Sequence, residues 1–380
     1  MAQAVLSRRS QSQLAFLQRI DLTLVGATVV LAVLGAISVY AATKVPLAQA
    51  GISPTYDLVR QSLFDFLGLL AMAVVVAIGY RVWLQLAWVL YGLLIVALLG
   101  VLAIGHSALG SARWIQVGPL SLQPSAFGST TLALVTTSLL LKFGDRLRFR
   151  HVALVILAAL PALALVYKQP DLGSALLMVV VVAGVLLVGG LRFRQFIVLV
   201  IAAVAVGFVA VHFGLLHSYQ LSRLVGFLHQ DQKSLANSAA YQVTQSKAAI
   251  SGGGLAGEGL FHGKLTNLGY LPEQDTDFVF ATVSEQLGFL GSATLLAIYA
   301  VICWRLWLIS VRAADRAGRL IAVGALCLIA YSVFQNVGMN MGLMPIAGIP
   351  LPLVSYGGSA ILNTFVAVGL ALSVGIESRR

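Results

Sequence analysis

Four carboxylates, Glu273, Asp275, Asp277 and Glu285, fall within thirteen consecutive positions, in the run Leu-Pro-Glu-Gln-Asp-Thr-Asp-Phe-Val-Phe-Ala-Thr-Val-Ser-Glu. The chain holds only thirteen acidic residues among 380, so nearly a third of them gather here. The run passes straight into an apolar stretch long enough to cross a bilayer, and a carboxylate at that boundary is costly to keep ionised. Two kinds of work are open to Asp277. At the start of a helix it is an end cap, favoured by the helix dipole and free N–H groups. Held in a site, it is a general base at the membrane surface. Glu285 lies eight residues further on, about two helical turns along a similar face. It can tune Asp277 or bind an arginine of another helix, and a buried structural ion pair is its expected role.

Cations stand in other segments. Arg60 and Asp65 lie in the second apolar span, Arg113 in the connection between the third and fourth, and Lys168 and Asp171 between the fifth and sixth. Each alone reads as an interfacial side chain whose charged head reaches water. Together, outward-facing Arg60, Arg113 and Lys168 could neutralise a phosphorylated lipid head group, a task that suits the planar fork of Arg.

Gly252-Gly253-Gly254-Leu255-Ala256-Gly257 has the G-x-G-x-x-G spacing, but no strand and no βαβ unit surrounds it, so a dinucleotide loop is excluded. Either it is a flexible loop or its bare backbone N–H groups approach a diphosphate closely. Gly263-Lys264 has no following Ser or Thr and is not a P-loop. The two cysteines, Cys303 and Cys327, lie in apolar spans and give neither a disulfide framework nor a metal-ligand spacing.

The elements that must hold these groups are membrane helices. Hydrophobic residues form 59% of the chain and charged ones 10%, against about 25% charged in ordinary globular domains. Mean hydropathy is +0.94. The expected fold is therefore an all-α polytopic membrane protein. About ten spans can be drawn, near 21–43, 57–80, 83–104, 124–142, 151–167, 172–190, 195–215, 277–303, 319–342 and 357–376. The net charge of +11 forms no basic face for nucleic acid. Most Lys and Arg sit in alternate connections, which places both termini on the inner side by the positive-inside rule. The first span follows Arg8, Arg9 and Arg19 without a cleavage site and reads as a retained helix. No internal repeat is visible, which weakens an inverted-repeat transporter reading.

The outer side carries the unusual residues. A large extracytoplasmic loop, 216–276, joins spans seven and eight and is too long for a mere connector. The last outer loop, Gly342 to Ser359, contains three Pro and several Gly, which forbid a continuous helix. Irregular backbone at the membrane edge must be buried in protein or line a cavity, so a rigid re-entrant turn walling a polar cavity is expected.

Taken in order, these segments resemble the SEDS family of bacterial shape, elongation, division and sporulation proteins. The resemblance covers nearly the whole chain. It rests on Gln169-Pro170-Asp171-Leu172-Gly173-Ser174, Tyr241-Gln242 with Gln245-Ser246, Leu271-Pro272-Glu273 with Thr276-Asp277-Phe278, and Gly348-Ile349-Pro350-Leu351-Pro352 with Ser355-Tyr356-Gly357-Gly358-Ser359. Arg19-Ile20-Asp21 and Tyr219-Gln220 near Arg223 resemble the elongation branch more than the division or sporulation branches. The resemblance implies a peptidoglycan glycosyltransferase of the bacterial cytoplasmic membrane that polymerises lipid II on its outer side. It makes Asp277 the catalytic acid. It makes Arg60, Gln61, Arg113, Lys168, Asp171, Gln242, Gln245, Ser246, Glu273, Ser355 and Tyr356 the substrate-binding candidates. A class B penicillin-binding protein is the implied partner within the elongation machinery.

A lipid diphosphate is already a good leaving group, so one base and nearby positive charge suffice, whereas glycoside hydrolysis needs two carboxylates. The expectation is that Asp277 deprotonates the acceptor 4-hydroxyl and that cations, Arg60 foremost, or a divalent metal (Mg or Mn) stabilise the departing diphosphate. Glu273 and Asp275 either help hold such a metal or raise the pKa of Asp277 by repulsion. The chain departs from the family at Gln123-Pro124-Ser125-Ala126-Phe127-Gly128-Ser129, where Ala126 and Ser129 replace a Glu and a Lys. The two positions share a helix face, and losing both strands neither charge. Asp275 stands where the family has an aromatic or His, and Gln286 where it commonly has a second Glu. Two rivals stay open: a lipid II flippase, and a catalytically weak scaffold for the transpeptidase.

Overall fold

The computed structural model describes residues 19–104, 106–108, 111–117, 120–214, 218–228 and 239–379. The chain opens with α1 (Leu22–Gln49), α2 (Tyr56–Ile78), the short α3 (Tyr80–Gln85) and α4 (Ala87–Ile104). Three strands follow, β1 (His106–Ala108), β2 (Ser111–Val117) and β3 (Leu120–Leu122), then α5 (Gly128–Phe143), α6 (Phe149–Lys168), α7 (Leu172–Val188) and α8 (Phe193–His212). The large outer connection holds α9 (Ser218–Leu228), α10 (Ala239–Gly252) and α11 (Lys264–Asn267). The chain ends with α12 (Val279–Arg312), α13 (Arg316–Asn340) and α14 (Gly358–Glu377).

Among the described residues, seven helices are long and apolar enough to cross a membrane, and α4, α7 and α8 are shorter apolar helices. Each coincides with one expected span. Aspartates set several of the starts: Asp21, Asp171 and Asp315 accept from the backbone N–H groups of Leu24, Ser174 and Gly318 at 3.1, 3.1 and 2.7 Å.

The bundle is centred on α14, 83% of whose apolar stretch is buried, against 28% for the apolar stretches of α6 and α12, although α12 is buried at its start from Val279 to Gln286. Its contact with α2 is close because each helix sets a glycine against a large residue of the other. A Cβ on Gly68 would meet the Phe365 ring at 2.1 Å, and one on Gly358 would meet Phe64 at 2.3 Å. Small residues at such crossings let membrane helices gain dispersion contact where no hydrophobic drive exists between them.

Charged pairs gather at one end of the bundle. Arg81 pairs with Asp315 at 3.2 Å and Glu377 at 2.9 Å, Arg316 pairs with Asp145 at 3.2 Å, and Arg305 pairs with Asp21. These residues come from segments expected on the inner side. The helix ends carrying Asp277 and the last outer loop face the other way.

Two features depart from the expected layout. The connection before α5 is a small antiparallel sheet of order β1-β2-β3, pairing His106 with Trp114 and Ile115 with Leu122, rather than plain loop in an all-α chain. The eighth span is broken at Gly288 (φ 64°, ψ −163°), so the stretch after Asp277 is a short helical piece ahead of the long one. The glycine run fills that break. Phe289 N–H donates to Gly254 O at 2.9 Å, Leu290 N–H to Leu255 O at 3.1 Å, and Glu258 N–H to Glu285 O at 2.9 Å. A Cβ on Gly253 or Gly257 would lie 1.9 or 2.1 Å from a carbonyl of the 284–286 segment. These glycines admit protein backbone, not a diphosphate. The segment 239–276 is thereby folded back on α12.

Candidate active site

The site grows from the turn 273–278. Glu273 takes a positive φ of 49°, and its carbonyl accepts from Thr276 N–H at 3.2 Å and Phe278 N–H at 3.0 Å. The helix starts at Val279 with Phe278 at its cap position and no side chain bonded there, so Asp277 is not its cap. Its backbone carbonyl instead accepts from Asn336 Nδ2 at 3.1 Å and Asn340 Nδ2 at 3.0 Å, both on α13. With its backbone clamped on that side, the half-buried carboxylate is left for other work.

The last outer loop closes over this turn. Tyr356 N–H donates to Asp275 O at 2.8 Å, and the Ser355 hydroxyl donates to Thr276 O while accepting from Leu351 N–H at 2.8 Å. Asn336 Nδ2 also donates to Ile349 O at 2.9 Å, and Tyr299 OH donates to Pro352 O. Most of the loop from Ile346 to Ser355 is buried, so its irregular backbone is satisfied inside protein as a membrane-edge segment requires. Gly348, at φ 69°, is the point of closest approach. A Cβ there would lie 3.3 Å from Arg223 Nη1 and 3.6 Å from Asp277 Oδ2.

Arg223, on α9, also donates to Ile346 O at 3.2 Å. Arg113, on β2, donates to the carbonyls of Gln169 (3.1 Å) and Pro170, which fixes it beside the turn before α7. Burial pushes the Asp277 carboxyl up to about 6, Glu273 and Asp171 add to the rise, and Arg223 and Arg113 oppose it. Burial likewise raises Asp275 to about 6, its own backbone amide opposes, and Glu273, Asp57 and Asp277 add. The arrangement is a carboxylate poised to accept a proton near neutral pH, flanked by two guanidinium groups that can face a leaving anion.

The other candidates take distinct places. Asp171 is buried and accepts from Gln123 Nε2 and Ser125 OH, both at 2.8 Å, so it ties the start of α7 to the start of the fourth span. Ser246 is fully buried and donates to Asn340 O at 2.8 Å. Ser355 pins the loop to the turn. Gln242 and Gln245 are half-buried on α10, with no hydrogen-bond partner among the described residues. Gln61 is 0% exposed, and neither atom of its amide has a partner. Lys168 is exposed at the end of α6 and pairs with no described side chain. Arg60 is set against Tyr356 and lies 4.9 Å from the Tyr56 ring, in a group with Asp57 that adjoins Asp275. The cations that act most on Asp277 are Arg223 and Arg113.

Arg223, Asn336 and Asn340 are the residues that sequence reasoning passed over. Asn336 and Asn340 are polar residues one turn apart in an apolar span, which is the signal that could have found them. Glu285 does not form the expected ion pair. Its carboxylate accepts from Leu265 N–H (2.6 Å), Thr266 N–H (3.1 Å) and Thr266 OH, holding α11 onto α12.

At the position of the missing Glu and Lys, Ser129 accepts from Asn363 Nδ2 at 3.3 Å, and Ala126 lines a cavity of about 60 Å³. No three His, Cys, Asp or Glu side chains among the described residues are grouped to hold a metal ion. The side chains here do not form a metal site by themselves, and a divalent ion would draw most of its ligands from a bound diphosphate and water.

Comparison with known proteins places nearly the whole chain in a family. The cell cycle protein family that groups FtsW, RodA and SpoVE matches residues 22–380. The chain belongs to the SEDS family. It is 37% identical over 316 residues to the peptidoglycan glycosyltransferase MrdB of Escherichia coli K12, covering 81% of this chain and 82% of that one. It is 35% identical over 371 residues to the stage V sporulation protein E of Bacillus subtilis 168, covering 94% and 98%. Among solved SEDS structures, Thermus thermophilus RodA superposes with a TM-score of 0.69 at 27% identity, covering 95% of this chain and 98% of that one. A chain from a study of polymerization and crosslinking by a peptidoglycan synthase complex superposes at 0.80 and 29% identity, covering 95% and 99%.

Proposed function

We propose that this SEDS protein polymerises lipid II into glycan strands during cell-wall elongation, with Asp277 as general base. The observation that carries the reading is Asp277 itself: a half-buried carboxylate raised to about 6, its backbone clamped by Asn336 and Asn340, with Arg223 and Arg113 beside it. Asp277 takes the proton of the acceptor GlcNAc 4-hydroxyl as that oxygen bonds to the anomeric carbon of the donor MurNAc. The bond from that carbon to the diphosphate breaks, and the sugar inverts from α to β. The undecaprenyl diphosphate leaves with the electron pair, and Arg223 and Arg113 meet its charge. Glu273 raises the proton affinity of that base by repulsion, which makes the ionised Asp277 a stronger proton acceptor. Arg60, Lys168, Gln242, Gln245 and Tyr356 are left to contact the sugars, the peptide or the second diphosphate, whereas Gln61 is enclosed in the bundle. A Mg or Mn ion bound with the diphosphate would add positive charge there, and no step above depends on it.

The MrdB relative supports the elongation reading, and the synthase complex supports a class B penicillin-binding protein as partner. The clustering of arginines at the end opposite Asp277 supports cytoplasmic termini and an extracytoplasmic active side in the bacterial inner membrane. The departure at Ala126 and Ser129 is compatible with activity, because Asn363 partners Ser129 and neither position leaves a stranded charge.

The test is glycan polymerisation from labelled lipid II by the purified protein with its transpeptidase, read as a ladder of chain lengths. Asp277→Asn is expected to slow the ladder by about 10²–10⁴-fold, the usual worth of a general base. A full ladder from that variant would overturn the assignment. Lipid II translocation without any ladder from the wild type would favour a flippase.

A further inference from the structure

At the end of the bundle away from Asp277, a cavity of about 390 Å³ lies between the turn after α7 and the start of α13, lined by Asp145, Gly189, Gly190, Asp315, Arg316 and Arg319. Through Val188 and Arg319 it joins an apolar groove of about 540 Å³ between α7, α12 and α13, along Leu187, Trp307, Val311, Leu326 and Cys327. A polar chamber opening into an apolar groove has the two-part shape of a lipid site.

The charges around the chamber are mostly committed. Arg316 pairs with Asp145 at 3.2 Å and donates to Gly189 O at 2.7 Å. Asp315 accepts from Tyr80 OH at 2.9 Å, Arg81 at 3.2 Å and Gly318 N–H at 2.7 Å. Arg319 has no partner side chain among the described residues, and it stands where chamber and groove meet. The groove leaves Leu187, Trp307 and Val311 43, 44 and 56% exposed, a large apolar surface with an aromatic ring near the membrane edge.

We propose that an anionic phospholipid occupies this site, its phosphate on Arg319 and one acyl chain along Trp307 and Leu326. This arginine-rich end faces the cytoplasmic leaflet by the positive-inside rule, where anionic lipids are concentrated and basic pockets between helices bind their head groups. A membrane helix of a partner protein would cover the groove but leave Arg319 and the polar chamber unmatched, so lipid fits both halves better.

Trp307 supplies the readout. The full-length protein is reconstituted in phosphatidylcholine vesicles carrying a small share of either brominated phosphatidylglycerol or brominated phosphatidylcholine, whose bromines quench neighbouring tryptophans. The expected result is stronger quenching by the phosphatidylglycerol, with the excess lost in Trp307→Phe. Arg319→Gln should cut that preference about five-fold, the worth of one basic residue at an anionic surface, while the neighbouring Arg312→Gln should retain it. Equal quenching by the two lipids overturns the proposal and leaves the groove to a protein helix. Equal losses in the Arg312 and Arg319 variants also overturn it, since general surface charge would then account for the preference.

Discussion

Arg223 and Asp277 meet across Gly348, on three segments that are far apart in sequence: α9, the turn before α12, and the last outer loop. Arg223 Nη1 lies 3.3 Å and Asp277 Oδ2 3.6 Å from where a Gly348 Cβ would stand. The cation thus sits close enough to hold the base ionised and to face the anion that the reaction releases, and the loop between them sets the spacing.

That relationship makes the pH profile diagnostic. Asp277 works as a base only when deprotonated, and burial puts its pKa at about 6, so kcat/KM should rise with pH through about 6 and level off above it. Arg223 lowers this pKa against the effect of burial. Arg223→Gln should therefore move the midpoint upward and also slow the reaction by about 100-fold through the lost leaving-group contact. A profile with an unshifted midpoint in Arg223→Gln would separate the arginine from the base.

Gly348→Ala probes the loop. At φ 69° a side chain strains the backbone by about 1–2 kcal/mol, and the new methyl group presses on the Arg223 guanidinium. Polymerisation should fall, with a matching loss of thermal stability of several degrees or less. Gly26→Ala is the control: it lies in α1 with nothing within 4 Å of its Cβ position, and should leave activity unchanged.

The apolar helices and the carboxylate-bearing turn around Asp277 were legible in the sequence because apolar length and isolated carboxylates are local signals. The break at Gly288 was not, since Val279 to Arg312 reads as one apolar run and only the glycines of 253–257, packed against it, show that the backbone turns there. Arg223 could not be ranked above Arg60 for the same reason. Both are single arginines in polar surroundings, and it is tertiary packing that brings Arg223 of the long connection to Asp277 and Arg60 of α2 to Tyr356. Glu285 misled because a carboxylate inside a span suggests an arginine partner, whereas backbone N–H groups from a connecting segment satisfy it equally well.

Asn340 tests whether the clamp on Asp277 is structural or only incidental. Besides donating to Asp277 O, its side-chain oxygen accepts from Ala281 N–H at 3.1 Å and from the Ser246 hydroxyl at 3.3 Å. Asn340→Ala leaves the buried Ala281 N–H without its partner and Asp277 O with Asn336 alone, and should cost about 1–3 kcal/mol. Thermal unfolding of the purified protein measures that loss. If the clamp also positions the carboxylate, kcat should drop more than KM changes at temperatures where the variant remains folded.

Glu285→Gln addresses the folded-back segment 253–269. The carboxylate accepts from two N–H groups and a hydroxyl of Leu265 and Thr266, and an amide in its place turns one acceptor into a donor facing donors. Hydrogen bonds to a charged group contribute about 1.5–3 kcal/mol each, so α11 should detach from α12 well before the bundle unfolds. Hydrogen exchange at the Leu265 and Thr266 amides reads this directly: protection should fall about ten-fold or more there, while amides of α13 and α14 keep theirs. Glu285→Asp, which keeps the charge on a shorter arm, should lose less protection than the Gln variant. Equal protection in wild type and Gln variant would mean that the glycine run alone holds the segment down.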